Sequence, residues 1–192
     1  MKVIELIIED ELKDGIEAIS VVDRPAIEEN FIALSQQIEI KLAEVDSEKK
    51  ILMGAALIPN KQIYRKDKNG NEFYVYFSSE TIRKASELFF IHGNQSQSTL
   101  QHNKKLEGMT VVESWLIEDP EMDKSKKYGF SLPAGSWMIS MKVDNPEIWD
   151  KVKAGEVKGF SIEGYFADKL EMQSEEELLI EKLKQIINGG TN

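Results

Sequence analysis

The eight residues Ile51 to Ile58, ILMGAALI, carry no charged or hydroxyl side chain and run straight into Pro59. A strand with one wet face alternates apolar and polar residues, whereas a strand covered on both faces reads as an unbroken apolar run. Proline ends the run because it cannot donate to a ladder. The segment therefore reads as a doubly buried strand, and the remaining elements have to cover it.

Other elements follow from punctuation and period. Val3 to Ile8 and Ile16 to Val22 are β-rich, with Gly15 before the second and Pro25 beyond it. AIEENFIALSQQ, residues 26–37, reads as a short helix, and the charged residues 39–50 as a connection. Asn69-Gly70 marks a turn ahead of a strand at Phe73 to Phe77. SSETIRKASELFF is an amphipathic helix with a serine cap. Gly93 to Gln101 reads as a polar loop, followed by strands at Met109 to Ile117 and Ser136 to Val143. In DNPEIWDKVKAGEVKG, Asn145 caps a helix, Pro146 occupies its first turn and Gly155 ends it. Ser174 and Glu177 have capping-box spacing and open an amphipathic C-terminal helix. The predicted fold class is α+β: a mostly antiparallel sheet or small barrel with a few peripheral helices.

Composition narrows the function. The chain has no cysteine, which removes disulfides, thiolate metal sites and a cysteine nucleophile. A formal net charge of −10 lacks the electrostatic footprint of a nucleic-acid binder. The N-terminus, MKVIELIIEDEL, lacks the apolar core and cleavage site of a signal peptide. No stretch approaches the roughly 20 apolar residues of a membrane span. The expectation is a soluble intracellular protein.

The segment GEVKGFSIEGYF, residues 155–166, sets one serine, Ser161, between glycines and apolar residues. A serine hydroxyl is a weak nucleophile until a base takes its proton, a task that suits histidine. The chain offers two histidines, His92 at the end of an apolar helix and His102 at the end of a polar loop. Ser161 does not fit the hydrolase elbow, because position 163 is glutamate where that motif needs glycine. A spacing of ten positions across a polar loop is unlike a helix-borne zinc pair. No phosphate-binding glycine loop is present, and KDKNGN lacks the acidic spacing of a calcium loop.

LQHNKKLEGMTVVESWLIED, then GSWMISMKV, then IWDKVKAGEVKGFSIEGYF follow in that order. Together they resemble the phage prohead (capsid maturation) serine proteases, in particular the XkdF-like branch, over about residues 50 to 167. These proteases are related in fold to the herpesvirus assembly protease, assemblin, whose centre is a seven-stranded barrel. The resemblance implies Ser161 as nucleophile and His102 as general base. It leaves the third member open among three carboxylates. Glu113, in VVESW, is the first choice, because it lies in the matching segment on the strand after His102, with Glu17 and Asp23 as the alternatives. Glu17 immediately precedes, and Asp23 lies within, AISVVDRPA, which resembles the strand that follows the serine in the familiar prohead proteases, here moved to the front as in a circular permutation. The position matching that strand's glutamate is Ala18. Arg24, in the same stretch, is a candidate oxyanion donor.

The resemblance further implies peptide-bond hydrolysis without a cofactor, inside the assembling procapsid in the host cytoplasm. Scaffold and major capsid proteins would be the substrates and a homodimer is plausible. Residues 1–170 would form the protease domain, with 39–50 a charged linker inside it, and 171–192 a helical tail. Two rival classes are an inactive assembly protein that keeps the fold, and a hydrolase of small esters with an enclosed pocket.

Overall fold

A computed structural model describes residues 2–27, 32–33, 49–66 and 69–168. The residues proposed for the C-terminal helix lie outside this set, as do 39–48 of the charged connection. The described residues form three four-stranded sheets and two α-helices.

The buried run is the heart of one sheet. Strand β4 (Ile51–Leu57) is buried from Leu52 onward. It pairs antiparallel with β10 (Trp137–Val143), which pairs antiparallel with β9 (Met109–Leu116). The two-residue strand β3 (Ile32–Ala33) adds to the other side of β4. Those two residues fall inside the stretch predicted as a helix, so at this point the helix gives way to a strand that caps the sheet. The rest of that stretch from residue 28 lies outside the described residues.

A second sheet has the order β12 (Ala167–Asp168), β1 (Lys2–Ile7), β6 (Glu72–Phe77), β5 (Ile63–Lys66). The third has the order β11 (Gly159–Tyr165), β2 (Gly15–Val22), β7 (Ser98–Leu100), β8 (Lys104–Leu106). Most pairs are antiparallel, as predicted. The exceptions are the N-terminal strands: β1 lies parallel to β6 and β2 parallel to β7.

Among the described residues the sheets do not close into the predicted barrel. Closure requires each end strand to hydrogen-bond onward to a next one. Here β3 and β12 have two residues each and β8 has three, too few groups to carry a ladder further.

Helix α1 (Ser79–Ile91) covers the core. The Ser78 hydroxyl accepts from the Thr81 N–H (3.3 Å), and Thr81, Ile82, Ala85, Ser86, Leu88 and Phe89 form its buried face at helical spacing. The Phe89 ring meets Trp137 of β10 edge-on at 5.6 Å. Helix α2 (Pro146–Lys153) starts where the sequence puts it, with the Asn145 carbonyl oxygen of the side chain accepting from Ile148 N–H (3.1 Å). Gly155, at φ 70, takes the left-handed turn that releases the chain into β11. No helix among the described residues is long and apolar enough to cross a membrane.

Candidate active site

Strand β11 has two faces. Phe160 is buried in the core, while Ser161 and Glu163 project together from the other side by strand alternation. Ser161 stands opposite Ser20 of β2, and Glu163 opposite Ala18. One step later the register shifts: Gly164 pairs with Ile16, leaving Glu17 as the extra residue of a bulge. A Cβ at Gly164 would lie on the carbonyl oxygen of Gly15 and 2.8 Å from the Ile16 Cα. The glycine is there because two backbones approach closely beside Glu163.

His102 arrives from the far side of β2. Residues 93–101, read from sequence as a loop, contain β7, which forms a hairpin with β8. At its tip the Leu100 carbonyl accepts from Asn103 N–H (3.1 Å), and the two residues between, Gln101 and His102, have φ of 53° and 59°. Positive φ at both central positions is the demand of the turn that fits a twisted hairpin, and it is costly for residues other than glycine. The surroundings hold it in place. The Ser20 hydroxyl donates to the Thr99 carbonyl (3.3 Å) and accepts from the His102 N–H (3.0 Å). The Gln101 side-chain amide, oriented to satisfy both contacts, donates to Asp23 Oδ1 (3.2 Å) and accepts from Asp23 N–H (3.1 Å).

The imidazole of His102 meets Glu163, with Nδ1 3.1 Å from Oε1, and the Thr99 hydroxyl donates to the same oxygen. An ionised carboxylate only accepts, so a neutral imidazole that donates to it does so from Nδ1 and has its lone pair on Nε2. Ser20, Thr99 and Ser161 occupy one cross-strand row, in which facing Cβ atoms are about 5 Å apart. Ser20 is fully buried and its hydroxyl is engaged on both sides, whereas Ser161 keeps 8% exposure. Ser161 and His102 are not hydrogen-bonded to each other among the described residues; Glu163 and Ser20 are what join their strands. Such bonds are often long before substrate arrives.

The other sequence candidates lie elsewhere. Glu113 of β9 pairs with Ser140 of β10; its Oε2 accepts from the Ser140 hydroxyl (2.6 Å) and its Oε1 from Lys124 Nζ (3.0 Å). These two donors hold its carboxyl below the usual glutamate range. The carboxylate at the imidazole is thus Glu163, which the sequence reading did not single out. Glu17, the bulge residue, is exposed and lines a depression with His92. Asp23 braces the His102 turn through Gln101 without reaching the ring. Arg24 is exposed in the turn after β2 and lines a separate groove. His92 is the C-cap of α1. No three histidine or acidic side chains among the described residues gather to hold a metal ion.

Residues 38–171 match the family described as "Putative phage serine protease XkdF". That span includes His102, Glu113, Ser161 and Glu163; β1 and β2 precede it. The chain is also similar to the phage-like element PBSX protein XkdF of Bacillus subtilis (strain 168), 31% identical over 91 residues. The match covers 46% of this chain and 30% of that relative. No solved structure matches the chain significantly. With well over half of its residues matched, including both the histidine turn and the serine strand, the chain belongs to the XkdF family of phage proteins.

Proposed function

We propose that the chain is a serine endopeptidase of tailed-phage capsid assembly, with Ser161 as nucleophile, His102 as general base and Glu163 as the carboxylate that orients it. The observation that carries this reading is the Glu163–His102 contact at Nδ1, on the strand face that also presents Ser161. Its place adds support. The familiar pattern puts its glutamate where this chain has Ala18, and Glu163 is the cross-strand partner of Ala18. The carboxylate has crossed to the neighbouring strand while its location is kept. Antiparallel pairing of β2 with β11 likewise suits an assemblin-type closing strand moved to the chain start.

The chemistry then runs in order. Ser161 Oγ attacks the scissile carbonyl carbon as His102 Nε2 takes the hydroxyl proton. Glu163 stays ionised and stabilises the imidazolium that forms. The C–N bond breaks as Nε2 returns the proton to the leaving amine, and water hydrolyses the acyl-enzyme by the same route. The substrates are scaffold and major capsid protein segments, cut inside the procapsid, with a homodimer as the working unit.

A second reading, an assembly protein that keeps the fold without the chemistry, is favoured by the missing Ser161–His102 bond. Co-expression with the neighbouring scaffold and coat proteins separates the two. Specific fragments that vanish with Ser161→Ala, in a variant that melts like the parent, support the protease. Fragments unchanged by the substitution remove Ser161 as the nucleophile.

A further inference from the structure

Two of the chain's three arginines, Arg24 and Arg65, line one open groove of about 720 Å³ together with Lys158. Asp23 is the one acid among its lining residues. Tyr64 and Tyr74 wall it, their rings edge-to-face at 6.0 Å. In a chain of net charge −10, such a gathering is unusual. Elsewhere, several surface lysines have carboxylate partners: Lys84 with Glu11 at 2.5 Å, Lys104 with Glu147 at 3.5 Å, Lys151 with Glu156 at 3.0 Å. Among the described residues, Arg24, Arg65 and Lys158 make no ion pair. The Arg65 guanidinium donates to the Tyr64 carbonyl (3.1 Å) and stays exposed along the groove.

Like charges brought together without counter-ions repel, and an anionic ligand removes that cost. Arginine's planar fork matches a carboxylate in two parallel bonds. The tyrosines offer apolar walls to the chain between such carboxylates. The groove opens where β2 ends and β11 begins: Lys158 N–H bonds to the Val22 carbonyl (2.7 Å), three residues before Ser161. Three extended residues span about 10 Å, the reach of a peptide strand from the serine to the groove.

We infer that this groove is a subsite for an acidic stretch of peptide, holding glutamate or aspartate side chains about three residues from the bond cut at Ser161. That the peptide is a substrate rests on the protease reading; the binding itself does not. A nucleic acid would meet the same cations, but the surface beyond the groove is net acidic and repels a long polyanion.

The test is anisotropy of fluorescein-labelled Gly-Ser peptides carrying either three glutamates or three glutamines, titrated with the full chain. The glutamate peptide is expected to bind at least about 10-fold more tightly, with the preference fading as salt rises. Arg24→Gln with Arg65→Gln and Lys158→Gln removes the preference. Arg65→Glu with Lys158→Glu turns it toward a lysine peptide, a reversal that mere unfolding cannot produce. Equal binding of the glutamate and glutamine peptides, indifference to the triple substitution, or equally potent displacement by oligo(dT) overturns the inference. Acid-dependent binding without any cleavage keeps the subsite and removes the protease reading. Cleavage indifferent to acids and to the groove substitutions does the reverse.

Discussion

Two carboxylates in this molecule are held in nearly the same way. Glu163, on β11, receives the Thr99 hydroxyl and the ring nitrogen of His102. Glu113, on β9, receives the Ser140 hydroxyl and the ammonium of Lys124. Each is a strand glutamate with one hydroxyl and one nitrogen partner. The difference lies in the nitrogen. An ammonium in a salt bridge has three donors and no lone pair, so the Glu113 cluster can only cross-link β9, β10 and the loop that follows β9. Lys124 is further fixed over the Trp115 ring, 3.7 Å from its centre. An imidazole held at Nδ1 keeps a lone pair on its other nitrogen, so the Glu163 cluster can take up a proton and return it. A carboxylate with good hydrogen bonds is common; what makes one catalytic is a partner that can change its charge.

The largest expected effect separates the two directly. Glu163→Gln lowers kcat by up to about 10⁴-fold, the cost of losing the carboxylate that holds a serine protease histidine in its working tautomer. Glu113→Gln leaves turnover within a few-fold. Single-turnover cleavage of a scaffold fragment measures both. If Glu113→Gln is the crippling change and Glu163→Gln the mild one, the assignment is inverted.

Next is the backbone beside Glu163. Gly164→Ala forces a methyl onto the Gly15 carbonyl, so β11 must move away from β2 at the bulge. A stability loss of about 1–3 kcal/mol is expected from the overpacking alone, with cleavage lost more completely than folding. Thermal melts alongside activity check this; a variant that melts and cuts like the parent shows that the close approach does not set the site.

Ser20→Ala tests the brace. It removes the acceptor for His102 N–H and should lower kcat between about 10- and 100-fold through misplacement of the ring, with a small loss of stability. Ser20→Thr keeps the hydroxyl and should restore much of the rate. Equal activity in all three proteins would leave Ser20 without a role in holding the turn.

The smallest effect belongs to Glu113. Its folded carboxyl titrates below the ordinary glutamate value, so the stability it adds is present above that value and is lost as pH falls through the lowered one. The Tm difference between parent and Glu113→Gln should therefore be seen near neutral pH and close in acid. A difference that grows on acidification contradicts the sign.

The comparison also shows what a sequence can and cannot display. The buried run of β4, the capped helices α1 and α2, and the strands β9 and β10 each span enough residues for period and punctuation to be read. Strands β7 and β8 have three residues each, and STL and KKL show no readable period. Yet that hairpin carries His102. Strand alternation does put Glu163 on the same side as Ser161, so half of the Glu163 signal was legible. The other half was not: a left-handed turn, held by Ser20 from 82 positions away, brings an imidazole to that glutamate. The barrel failed for a related reason, since closure depends on short end strands whose pairing no local pattern records.

The most direct measurement is covalent labelling. The purified chain is treated with a fluorophosphonate, which reacts with activated serines, and the modified residue is mapped by mass spectrometry. An adduct on Ser161, lost in His102→Ala and strongly slowed in Glu163→Gln, is the expected result. An adduct on Ser20 instead, or none on a chain shown to be folded, would contradict a serine activated by the His102–Glu163 pair.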